Sequence, residues 1–94
     1  MDIARSDIVR SIAGRDKGMF FFVLDTEGEF LMLADGKTRK LENPKRKKRK
    51  HTAFVMHSDC RVAEKIRSEE KVTNSELRRT LAEYGGDGNP DQEG

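Results

Sequence analysis

Apolar residues in the first half of the chain come in short bursts separated by glycine. In the second half they fall three and four apart. Residues 6–13, SDIVRSIA, predict a first strand: Ile8 and Ile12 share one face with Arg10 between them, and Val9 and Ala13 take the other. GRDKG, residues 14–18, is charged and bounded by two glycines, which reads as a chain reversal. MFFFVLD, residues 19–25, has high β propensity but no clean alternation, so both its faces are expected to meet apolar surface. TEG predicts the next turn, at residues 26–28. EFLMLA predicts a third strand over residues 29–34, and Asp35-Gly36 a two-residue hairpin. KTRKLE, residues 37–42, is expected as a fourth strand at a sheet edge, because it has little to bury. Asn43-Pro44 interrupts the chain. TAFVMH, residues 52–57, predicts a closing strand.

Beyond that point the period becomes helical. Val62, Ala63 and Ile66 are spaced for a first short helix, with Ser58 or Asp59 as its cap. Thr73 followed by Glu76 is a capping box. Leu77, Leu81 and Tyr84 mark one face of a second helix, with Gly85 at its stop position. Helices this short are marginal alone, so they must dock on the β portion or fray. The division expected is a β domain over residues 1–58, a helical extension over 59–84 and an acidic tail over 85–94. The class is mainly β: a small barrel of about five strands followed by two short helices.

A chain of 94 residues supports one small domain with a thin core. The charge is what changes the picture. Residues 1–36 carry a net −3, residues 37–51 a net +8 and residues 52–94 a net −3, so the overall +2 conceals a concentrated patch. At its centre is PKRKKRKH, residues 44–51, with six consecutive cations. Such a run is expected to stay extended and solvated and to order on a polyanion. An import signal is the rival reading of the same composition. A single cysteine, Cys60, excludes an intrachain disulfide and fits a reducing cytoplasm. The longest apolar run, Met19 to Leu24, is far short of the ~20 residues that span a bilayer, and Met1-Asp2 with mixed charges does not read as a signal peptide.

The ordered set Ala13-Gly14-Arg15, Lys17-Gly18, Asp35-Gly36-Lys37 and the basic run resembles a KOW motif, with Gly18 as its central glycine. Over residues 3–57 the chain is similar to the fourteen-e type of large-subunit ribosomal protein and its short bacterial relatives, the KOW-domain RNA-binding proteins. The resemblance implies an SH3-like barrel and non-enzymatic RNA binding. Its partner would be ribosomal RNA or another translation component, with ribosomal proteins as further partners. The RNA-contacting residues expected are Arg15, Lys17, Lys37, Arg39, Lys40, Lys45, Arg46, Lys47, Lys48, Arg49, Lys50 and His51. Gly14, Gly18 and Gly36 serve as motif glycines whose role is conformational. Arg15 and Lys17 read equally well as ordinary loop solubility. A protein-interaction module and a basic DNA-associated protein remain alternatives, and the free protein is expected to be monomeric.

Other chemistry is poorly supported. Gly36-Lys37-Thr38 ends like a phosphate loop, but the position that needs glycine is Leu31. His51, His57 and Cys60 fall short of the four ligands of a structural zinc site, and no cofactor is implied. Cys60 reads as a partly buried small residue or an idle thiol. Asp25, Glu27 and Glu29 read as a solvated turn. Most of the Phe20–Phe22 rings are expected in the core, with Phe21, or whichever ring is left exposed, as a base-stacking candidate.

Overall fold

The computed structural model describes residues 2–84. Five antiparallel strands form one sheet in the order β4-β3-β2-β1-β5. They are β1 (Ile8–Ser11), β2 (Phe20–Glu27), β3 (Phe30–Ala34), β4 (Lys45–Lys48) and β5 (Thr52–Met56). A single 3-10 turn, Arg49–His51, leads from β4 into β5, which returns to pair with β1 (Ser11 opposite Thr52). Two helices follow, α1 (Arg61–Arg67) and α2 (Asn74–Glu83). This is a small SH3-like, barrel-like β fold with a short helical extension.

The two faces of β2 explain its unbroken apolar run. Phe21 and Val23 point into the barrel interior with Ile3, Val9, Leu31 and Leu33. Phe22 points outward with Ile8 and Ala34, and there meets Val62, Ala63 and Ile66 of α1 and Leu77 and Leu81 of α2. The helices therefore cover the outward apolar face of the sheet and belong to the same folded unit as the strands. A bulge between Val23 and Asp25 resets the register, so Asp25 and Glu27 lie opposite Met32 and Phe30 within the ladder and are not part of a loop.

Three expectations need correction. The fourth strand is not residues 37–42 but the basic run itself: Lys45, Arg46, Lys47 and Lys48 pair with Leu33, Met32, Leu31 and Phe30. The expected two-residue hairpin at Asp35-Gly36 is the start of a longer excursion. Asp35 Oδ1 accepts hydrogen bonds from the amides of Lys37 and Arg39, and Oδ2 accepts from the Thr38 hydroxyl. The Asp35 and Gly36 amides in turn donate to the Arg39 carbonyl. Those backbone groups are satisfied locally, so no ladder is needed there. Finally, α1 is capped not by Ser58 or Asp59 but by Cys60, whose Sγ accepts from the Ala63 amide, while Ser58 is buried behind it. The capping box of α2 forms as expected, with Thr73 and Glu76 bonding reciprocally. Gly85 and the acidic tail lie outside the described residues.

Gly36 has a double constraint. Its φ is +79°, and a Cβ there would overlap the Asn74 carbonyl oxygen at the start of α2. Gly18 has φ +93° but open space around it. Gly36→Ala should therefore destabilise the fold by about 2–3 kcal/mol and Gly18→Ala by only about 1 kcal/mol, measured as shifts in the urea midpoint. Equal effects at the two positions would mean that α2 does not dock on Gly36.

Candidate nucleic-acid interface

A strand turns alternate side chains to opposite faces, so β4 divides its cations into two sets. Lys45 and Lys47 lie opposite the inward-facing Leu33 and Leu31. Arg46 and Lys48 lie opposite Met32 and Phe30 on the outer face. The inward pair is tied down. Lys47 is only 8% exposed. Its Nζ donates to the Ala13 carbonyl at 2.9 Å and to Asp16 Oδ1 at 3.0 Å. Lys45 Nζ approaches Asp16 Oδ2 at 3.3 Å. The Ser11 hydroxyl also donates to Asp16, at 2.6 Å. Burial would raise the Asp16 carboxyl, but the Ser11 hydrogen bond and the two ammonium groups outweigh it and hold the pKa at about 2.

This cluster corrects the view of the basic run as solvated, although residues 45–48 are extended as expected. Lys47 is a buried internal tie rather than a free contact. Arg49 is also engaged: its Nε donates to the Gly28 carbonyl and a terminal nitrogen to the Ile3 carbonyl. Much of the run is thus held by contacts within the chain.

The outer set has a different character. The Arg46 guanidinium carbon sits 3.8 Å from the centroid of Phe30, and the Lys48 ammonium 5.9 Å from it. Cation–π contact of this kind is worth about 0.5–1 kcal/mol at an exposed site. Arg46 also makes a loose, exposed ion pair with Glu27 at 3.5 Å. Phe30 is the one phenylalanine of five that belongs to neither apolar cluster. The stacking candidate Phe21, by contrast, is fully buried.

The Asp16 tie also positions the 14–18 loop. Gly14 and Gly18 take φ +88° and +93°, turning Asp16 inward and leaving Arg15 and Lys17 exposed on either side of it. Because Asp16 is bound to Lys45 and Lys47, the loop that carries Arg15 and Lys17 is held against β4. Lys50 is exposed and His51 half-buried in the 3-10 turn. Lys37, Arg39 and Lys40 lie apart, on the 35–44 excursion. Lys37 and Lys40 there face Arg78 and Arg79 of α2 across a cleft. The sequence reading passed over those two arginines; adjacent cations on the polar side of a helix carry no signal until the docking of that helix is known.

His57 Nδ1 meets the buried Asp7 carboxylate at 2.5 Å, which gives that side chain a structural partner. No group of His, Cys, Asp and Glu side chains suited to a metal ion is present among the described residues. No helix among them is long and apolar enough to cross a membrane. No family model matches the chain, and no curated protein matches it.

The Asp16 carboxyl titrates lower in the folded chain than its ordinary 3.8. Its contribution to stability is therefore complete above about pH 4 and disappears as pH falls toward 2. Asp16→Asn should cost about 2–3 kcal/mol at pH 7, where it leaves the Lys47 ammonium buried without a counter-ion. Parent and variant should converge between pH 4 and pH 2. Urea unfolding of both across that range checks this, and a pH-independent difference would remove the ion pair from the account.

Proposed function

We propose that this chain is a non-enzymatic, cytoplasmic RNA-binding protein that grips a ribose-phosphate backbone with one face of its barrel. The observation that carries the reading is the outer face of β4. Arg46 and Lys48 are fixed in a paired strand around Phe30, the loop that carries Arg15 and Lys17 is tied to the same strand through Asp16, and Lys50 follows at the strand's end. Cations in a fixed row suit phosphates, and arginine can fork one bidentately. An aromatic flanked by cations also suits an unpaired base. Structured ribosomal RNA, or another component of translation, is the partner that fits the resemblance to KOW-domain proteins. Phosphate contacts of this kind set position and affinity, and discrimination comes from RNA shape.

With ~5 phosphates neutralised by Arg15, Lys17, Arg46, Lys48 and Lys50, log K should fall with log salt at a slope of roughly −3.5 to −4.5. The double change Arg46→Ala with Lys48→Ala should leave the fold intact and make that slope less negative by about 1.5–2. Fluorescence titration of the full chain with an rRNA fragment at several salt concentrations reads both. A flat salt response, or an unchanged slope in a folded double variant, would refute the assignment of this face.

A further inference from the structure

We infer that the cleft between the 35–40 loop and α2 is a second site, which takes the phosphate of a nucleotide unit. The inference deepens the RNA-binding reading and rests on it only for where that nucleotide comes from. The cleft has a volume of about 620 Å³, within the ~300–1,000 Å³ usual for small-ligand sites. Lys37 and Lys40 lie on one wall, and Ser75, Arg78 and Arg79 on the other.

The one carboxylate in the lining is Asp35, and it is 7% exposed with both oxygens already accepting hydrogen bonds from its own loop. It anchors the loop, and its single charge, with that of Glu42 near Lys40, leaves the four cations in excess. None of Lys37, Lys40 and Arg79 has an ion-pair partner among the described residues. With four cations against one carboxylate in its lining, the concavity is net positive and favours entry of an anion.

The walls are also fixed relative to each other. Arg78 donates to the Gly36 carbonyl at 2.7 Å, and Asn74 Oδ1 accepts from the Leu41 amide at 2.8 Å. The missing side chain of Gly36 is what lets the first turn of α2 come this close. The site is thus preformed, and an anion would meet cations already in place.

The chemistry selects among anions. Two arginines and two lysines exceed what a single carboxylate needs and match the several oxygens of a phosphate. Ser75 offers a neutral hydroxyl. Ala82 adds a small exposed apolar surface beside the charges, with the buried Leu81 behind it, suited to the ribose of the same unit. An inorganic phosphate would leave that surface unused.

The test uses the full chain labelled with nitrogen-15 and the double variant Lys40→Ala with Arg79→Ala, which spares the structural Arg78. Three probes are titrated separately: an oligouridylate, uridine 5′-monophosphate and inorganic phosphate. With the oligomer, amides of 36–40 and 75–82 should shift together with those of 46–48. The variant should lose only the first group and bind about tenfold more weakly. Shifts at the cleft with the mononucleotide but none anywhere with the oligomer would keep the site, assign it to free nucleotides and defeat the RNA reading alone. Shifts confined to β4 and the 14–18 loop would overturn the cleft and leave the RNA reading standing. Inorganic phosphate binding as tightly as the mononucleotide would overturn the nucleotide assignment, and silence at the cleft with all three probes would overturn the site.

Discussion

The ion cluster around Asp16 is what allows a strand made of cations to exist in this fold. A paired strand must point every second residue inward, and β4 offers only lysines for those places. Lys47 lies opposite the buried Leu31 and is itself nearly buried. Without an anion there, the desolvated charge would cost several kcal/mol and the strand would leave the sheet. Asp16 supplies the anion, Ser11 steadies it, and the Ala13 carbonyl takes a further hydrogen bond from Lys47. The same contacts close the barrel between β4 and the 14–18 loop. One carboxylate thus fixes a strand, a loop and the separation of the basic run into structural and free cations.

The second constraint is the approach of α2 to Gly36. The outward face of the sheet carries Ile8, Phe22 and Ala34, and these need cover. Cover comes from helices that would be marginal in isolation. They are joined to each other by the ion pair of Lys65 with Glu76 at 2.8 Å and joined to the 35–44 excursion through Asn74 and Arg78. Docking that begins as hydrophobic burial ends by placing two arginines of the helix opposite two lysines of the loop. The two basic regions therefore arise from opposite causes: one from strand alternation, the other from packing.

Much of this was legible in the residues. The unalternating run from Met19 to Leu24 announced a strand buried on both faces, and it is one. Glycines at 14 and 18 announced a reversal, and both take positive φ. Thr73 and Glu76 announced a helix start. The fourth strand was misplaced because residues 37–42 and 45–48 are both polar, and local propensity does not separate them. What separates them is distant in sequence: Asp35 satisfies the amides of the first segment, and Asp16 neutralises the lysines of the second. For the same reason the basic run could be recognised as a patch but not resolved into inward and outward members. The cleft was invisible because its two walls are some 40 positions apart and meet only through a glycine whose close contact no pattern in the sequence expresses.

The ordering of β4 changes what its charge can do. A disordered hexacation would contribute all of its charges but would lose conformational freedom on binding, at a cost of about 2–5 kcal/mol for a segment that folds on its target. In the folded strand that ordering has already occurred, during folding of the protein and in exchange for Lys45, Lys47 and Arg49, whose side chains are engaged within the chain. Fewer cations reach a ligand, yet each is presented in fixed register on a rigid face. A rigid row cannot wrap an arbitrary polyanion. It favours a backbone whose shape matches the row and penalises one that does not, which is how a surface dominated by phosphate contacts acquires selectivity without reading base edges.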